Sequence, residues 1–110
     1  MDEISKTGKG SFLAVLKLYG PENKNYLSFP LEGYSLALDF KIENDLFELL
    51  NKLDNIVLKH KGRIYLSKDA RVKKDVFEKG YPKINKFRKV RKKYKLNEVF
   101  SSLQSKRVGI

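Results

Sequence analysis

YSLALDFKIENDLFELLNKLDNIVLKHKG, residues 34 to 62, changes its apolar period in the middle, and that change decides the fold class. Tyr34, Leu36, Leu38, Phe40 and Ile42 alternate with Ser35, Ala37, Asp39 and Lys41, which is the period of a strand with one core face and one face of small or polar groups. After Asn44, a good N-cap, the spacing becomes helical. Leu46, Leu49, Leu50, Leu53, Ile56 and Val57 form one stripe, which predicts a helix over 45–61 ended by Gly62. His60 falls at the end of that stripe, half-buried and next to terminal carbonyls.

Upstream, SFLAVLKLY at 11–19 is nearly continuously apolar before Gly20-Pro21, which suits a strand covered on both faces. Residues 21–25 form a turn, Tyr26 to Phe29 lead to Pro30, and Gly33 resets the register. Met1 to Gly10 is polar and aperiodic, a disordered lead-in. Downstream, RIYLS at 63–67 predicts a short strand with Ile64 and Leu66 inward and Tyr65 on the opposite face. A turn of helix over 75–79 precedes Gly80. Pro82 then opens a basic helix with Ile84, Phe87, Val90 and Tyr94 on one inward arc, and a short helical piece over 96–103 leads into a polar tail. The order predicts one α+β domain: a small antiparallel or mixed sheet with helices packed on one face, and a right-handed crossover if the strands flanking the long helix run parallel.

The chain has 110 residues, a formal charge of +11 and no cysteine, which excludes disulfide, thiolate and iron–sulfur chemistry. One histidine cannot form a metal pair or a relay. KTGKGS at 6–11 fails as a phosphate loop, because Glu3 and Gly10 stand where Gly and Ser or Thr are needed and a strand follows it. With no dinucleotide fingerprint either, no cofactor cradle is present. Asp45, Glu48 and Asp54 read as solvated helix charges. No apolar run approaches the roughly 20 residues of a bilayer span, and no secretory h-region opens the chain, which predicts a cytoplasmic protein with peripheral membrane contact left open.

Half of the 24 basic residues lie between Arg71 and Lys95 with only Asp75 and Glu78, a local net charge of +10. Such a segment binds anions weakly and without specificity. Its helix Lys83 to Lys95 could also be the working element of a small nucleic-acid-binding module, although Phe87 and Tyr94 on the apolar arc argue for packing over base stacking.

LSFPLEGYSLALDFKI (27–42), LDNIVL (53–58), GRIYLSKDAR (62–71), Tyr81-Pro82, Phe87-Arg88, VFS (99–101) and KRVGI (106–110) occur in this order. Together they resemble the C-terminal part of the FAD-linked oxidases of the vanillyl-alcohol-oxidase type. Within that family they are most similar to the decaprenylphosphoryl-ribose oxidases and bacterial sugar-lactone oxidases. The resemblance implies that residues 11–110 are a substrate-domain segment of an oxidoreductase acting on CH–OH groups of a sugar-like substrate. FAD would be supplied by a missing or separate FAD-binding domain, with none bound by this chain alone. That domain, in another chain or in an N-terminal half, would then be the partner, self-association its substitute, and the isolated chain inactive or a gene remnant.

By the same resemblance Tyr65 contacts FAD. Lys68 stands near the flavin pyrimidine and substrate, where a cation stabilises negative charge acquired on reduction. Ser35 and Ala37 face the substrate, at positions where mycobacterial members carry Asn and Cys. The His-Trp string of the lactone oxidases has no counterpart, since the chain has no tryptophan.

Overall fold

The computed structural model describes residues 1–110 as an α+β chain with a two-stranded antiparallel ribbon and six helices. Helix α1 spans Asp2–Thr7, and strands β1 and β2 span Leu13–Tyr19 and Gly33–Asp39. Helices α2 to α6 follow at Leu46–Lys59, Lys74–Gly80, Ile84–Lys93, Leu96–Val99 and Leu103–Val108, with a 3-10 turn at Leu66–Lys68.

The core is helical. Val72, Val76, Phe77, Tyr81, Ile84 and Val108 pack together, with Leu27, Leu58, Ile64, Leu66, Phe87 and Ile110 around them. Phe77 and Tyr81 stack at 4.9 Å between ring centroids. Arg63 lies over the Tyr81 ring at 5.2 Å, and the Tyr81 hydroxyl donates to the Ile64 carbonyl at 2.8 Å. The ribbon extends from this body, which raises the radius of gyration to 15.3 Å against roughly 13 Å for a compact chain of this length.

Both ends of the ribbon are tied down. At one end Arg63 donates to the Ser28 carbonyl at 2.6 Å, and Phe29 touches Tyr19 and Tyr65. At the other, α1 packs on α2, and Lys9 reaches the Asn44 carbonyl at 2.7 Å.

Several expectations need correction. Residues 2–7 form a helix with Ile4 buried, where a disordered lead-in was expected. Arg63–Ser67 is not a strand, so the sheet has no third member and no crossover exists. The physical reason lies in its carbonyls: Ile64 accepts from the Tyr81 hydroxyl and Leu66 from the Gln104 amide at 2.6 Å, so side chains satisfy what a ladder would have taken.

Strand β1 is exposed along nearly its whole length, because a single neighbour pairs with it and nothing in these residues lies over it. On β2 the face expected inward is only partly covered: Tyr34 and Leu36, with Ile42 beyond the strand, are exposed and Leu38 and Phe40 half-buried, while Ser35 and Ala37 on the other face are half-buried as well.

Helix α2 starts at Leu46 after Asp45, which sits at positive φ without a side-chain cap bond, so Asn44 is not the cap. It ends at Lys59, with Lys61 in the left-handed region, and His60 is exposed. Gly62 serves close approach: a Cβ there would stand 2.9 Å from Val57 Cγ1. Tyr94 is exposed, off the inward arc. The expected polar tail is α6, closed by a capping box between Ser102 and Ser105, with Val108 fully buried.

Candidate functional site

Paired residues of an antiparallel ribbon point to the same side. The register Tyr19 with Gly33, Lys17 with Ser35, Val15 with Ala37 and Leu13 with Asp39 therefore places these side chains on one face. Asp39 identifies where that face looks, since its carboxylate meets Lys68 Nζ at 3.2 Å. The Asp39 backbone is fixed by Ser11, whose hydroxyl accepts from the Asp39 N–H and donates to its carbonyl, both at 2.9 Å.

Lys68 ends the 3-10 turn that begins after Tyr65. Tyr65 and Lys68 reach the same ribbon face, Lys68 through Asp39 and Tyr65 through Phe29 to Tyr19. Tyr65 lies against Phe29 with centroids 4.8 Å apart, and Phe29 meets Tyr19 edge-on at 6.1 Å. The result is an open surface with an aromatic row at one end and the Lys68–Asp39 pair at the other.

The structure thus brings Tyr65 and Lys68 to the strand face carrying Ser35 and Ala37, two pairs of positions far apart in sequence. Three participants lacked a signal strong enough to single them out. Asp39 shares its parity with Ser35 and Ala37, and that parity could have marked it. Phe29 is hidden in a Pro-containing loop, and Gln104 in a segment too polar to suggest packing. Gln104 holds the Leu66 carbonyl and so positions the turn that carries Lys68.

Other ionisable residues are scaffold. Asp54 is buried and receives both arms of Arg71 at 2.7 and 2.8 Å, which corrects its reading as a solvated charge. Asp69 accepts from the Arg71 and Val72 N–H groups through one carboxylate oxygen. The other lies 2.8 Å from Arg107, off the hydrogen-bonding direction, as an ionic contact. Arg88 joins Glu78 at 2.6 Å and the Gly109 carbonyl at 2.8 Å. No cluster of three or more His, Asp and Glu side chains is arranged to hold a metal ion. Two open hollows, one between α1 and the ribbon and one beside Gly62 and Gly80, are lined by none of Tyr65, Lys68, Ser35 and Ala37.

Compared with known proteins, the chain is 38% identical over 108 residues to decaprenylphosphoryl-beta-D-ribose oxidase of Mycolicibacterium smegmatis, a match that takes in 98% of this chain and 24% of that protein. These residues are homologous to part of an FAD-linked oxidase. A Streptomyces coelicolor protein, described as an uncharacterized protein in the mprA 5' region, is 33% identical over 97% of the chain and 29% of its own length. The chain therefore spans about a quarter of the length of the curated relatives it matches. No family model matches. The resemblance carried by the strings of residues 27–110 is borne out, and the structure explains what many of those strings do. Arg71, Tyr81, Arg88 and Gly109 hold this segment together, while Tyr65 and Lys68 remain at its open surface.

Proposed function

We propose that these residues form one wall of the flavin and substrate site of an FAD-dependent oxidoreductase acting on a CH–OH group of a sugar-like molecule. The supporting observation is the open face itself. In a segment 38% identical to an oxidase of a ribose-derived compound, the cation Lys68 and the ring of Tyr65 project together beside the small side chains Ser35 and Ala37.

The residues fit one edge of a flat cofactor ring and do not fit the whole dinucleotide. A half-exposed tyrosine backed by Phe29 and a lysine tethered by a carboxylate suit a ring edge that gains negative charge. No glycine-rich turn leading into a long helix is available for a pyrophosphate. FAD, when bound, supplies the acceptance of hydride. This chain's part is to orient and to compensate charge. Lys68 offers an ammonium whose position is fixed by Asp39 on one side and by the Gln104-held turn on the other, while Ser35 and Ala37 leave room beside it. Tyr65 presents an apolar plane with a polar rim.

In this reading the remaining wall, with the phosphate-binding groups, comes from the FAD-binding portion of the oxidase, in the same polypeptide or another. The opposite ribbon face, where Leu16, Leu18, Tyr34 and Leu36 are exposed, is a second surface, for further residues of the oxidase to cover. The chain alone is then inactive and retains no FAD. The test mixes it with the FAD-binding portion of the Mycolicibacterium relative and follows flavin reduction by stopped flow. Reduction only in the mixture supports the reading; a flavin spectrum and turnover from the 110 residues alone would overturn it.

A further inference from the structure

The strongest feature outside that face is the segment joining α4 to α6. Four large apolar side chains stand out within ten residues: Tyr94 at 62% exposure, Val99 at 72%, Phe100 at 61% and Leu103 at 86%. Their backbone is held in shape. Arg91 donates to the Asn97 side chain at 2.7 Å and to the Phe100 carbonyl at 2.6 Å, and the Ser102–Ser105 capping box starts α6. Protrusion is therefore built into a folded loop tied to α4.

In the same stretch of chain stand Lys89, Lys92, Lys93, Lys95 and Lys106, all exposed, with Lys93 Nζ 5.4 Å from the Tyr94 ring and Glu98 the single acidic residue from 89 to 106. None of these lysines makes an ion pair within the chain, whereas all five arginines are engaged: Arg63 with Ser28, Arg71 with Asp54, Arg88 with Glu78, Arg91 with Phe100 and Arg107 with Asp69. The outward charge here is thus carried by hydrated ammonium groups, not by the planar forks that read base edges or grip a phosphate in two-pronged fashion.

Apolar tips rimmed by lysine are what an anionic lipid surface accepts, since the tips enter the acyl boundary and the long lysine stems let their charges stay among the headgroups. A nucleic acid can stack on Tyr94 and Phe100 but offers the aliphatic Val99 and Leu103 far less apolar surface than an acyl boundary does. We propose that the α4–α6 junction docks this protein on anionic membrane surfaces, with Tyr94, Val99, Phe100 and Leu103 inserted and Lys89, Lys92, Lys93, Lys95 and Lys106 at the headgroups. The assignment is independent of the oxidase reading, because none of these residues belongs to the Tyr65–Lys68 face.

The chain has no tryptophan, so Phe100→Trp adds a single reporter at the centre of the loop. Phosphatidylcholine vesicles containing about a third phosphatidylserine, a strongly anionic surface, should sediment the 110-residue chain, and pure phosphatidylcholine vesicles should not. The Phe100→Trp emission should move to the blue and be quenched by brominated lipid. Lys92→Glu with Lys93→Glu should lower partitioning at least about tenfold, since each lysine near such a surface adds about fivefold. Val99→Ser with Leu103→Ser should also lower it several-fold at unchanged circular dichroism. Reporter emission unmoved by anionic vesicles would overturn the proposal. So would RNA or duplex binding at physiological salt that the two serine substitutions leave intact, because the surface would then be serving phosphates alone.

Discussion

Lys68 and Arg71 are both cations three residues apart, yet burial gives them opposite roles. Lys68 and Asp39 stand well into solvent, where an ion pair adds at most about 1 kcal/mol. Arg71 and Asp54 are enclosed, so removing one leaves an uncompensated charge, at roughly 3–5 kcal/mol. Denaturant unfolding should therefore show Lys68→Ala within about 0.5 kcal/mol of the parent and Asp54→Ala severely destabilised. In a flavin-loaded assembly the order should invert. Lys68→Ala should slow flavin reduction by about 100-fold, the scale for one preorganised charge, and Lys68→Arg should recover only part of it. An unchanged reduction rate in Lys68→Ala would remove this residue from the site while leaving the homology untouched. That Lys68 faces the strand was not readable from its own neighbourhood; it follows from Asp39, 29 positions away in sequence.

At the level of elements, periodicity located the long helix and both ribbon strands, because each needs only local pattern. It failed where long-range polar partners decide. RIYLS has strand propensity, but the Tyr81 hydroxyl and the Gln104 amide take two of its carbonyls and leave coil and a 3-10 turn. Ile64 and Leu66 still point inward, so the alternation was right about sides and wrong about hydrogen bonds.

The Tyr81 bond has a pH signature. Burial pushes the Tyr81 phenol up from 10.0 to about 12. Between those values the unfolded chain has lost this proton while the folded chain keeps it, so Tyr81 makes stability fall as pH rises through that interval and has no effect below it. Tyr81→Phe should lose that part of the alkaline decline and, near neutral pH, cost about 1 kcal/mol for the undonated Ile64 carbonyl. Thermal melts of both proteins across the interval measure the difference. Gly109 makes a second test, since φ of 73° ends α6 and its carbonyl receives Arg88. Gly109→Ala should destabilise by roughly 1–2 kcal/mol through the left-handed backbone, with the Lys74 side chain, 2.9 Å from the new Cβ, also forced to shift, and a neutral result would show that the α6 terminus is frayed in solution.

For the whole molecule, the decisive quantity is how little is enclosed. Eleven of 110 residues are buried, and the exposed large side chains include Leu16, Leu18, Tyr34 and Leu36 on one ribbon face, in a two-stranded sheet whose outer edges are both unpaired. Period-two patterning correctly marked one β2 face as apolar. It could not reveal that only the Leu38 end of that face meets a helix, beside α1, while Leu36 and Tyr34 stay open, because a pattern carries no information on what lies opposite. An apolar sheet face flanked by open edges associates with whatever covers it. Without a partner, the chain should form dimers or larger species in light scattering, with a hydrophobic dye bound to the ribbon. Leu16→Lys with Leu36→Lys should return it to a monomer at little cost to the helical core, since neither side chain belongs to that core. Adding the FAD-binding portion of an oxidase should disperse the self-associated species and displace the dye if that portion is the natural cover. A chain that is strictly monomeric at high concentration and binds no dye would show that this face is stable in water as it stands, and the role assigned to it would fall.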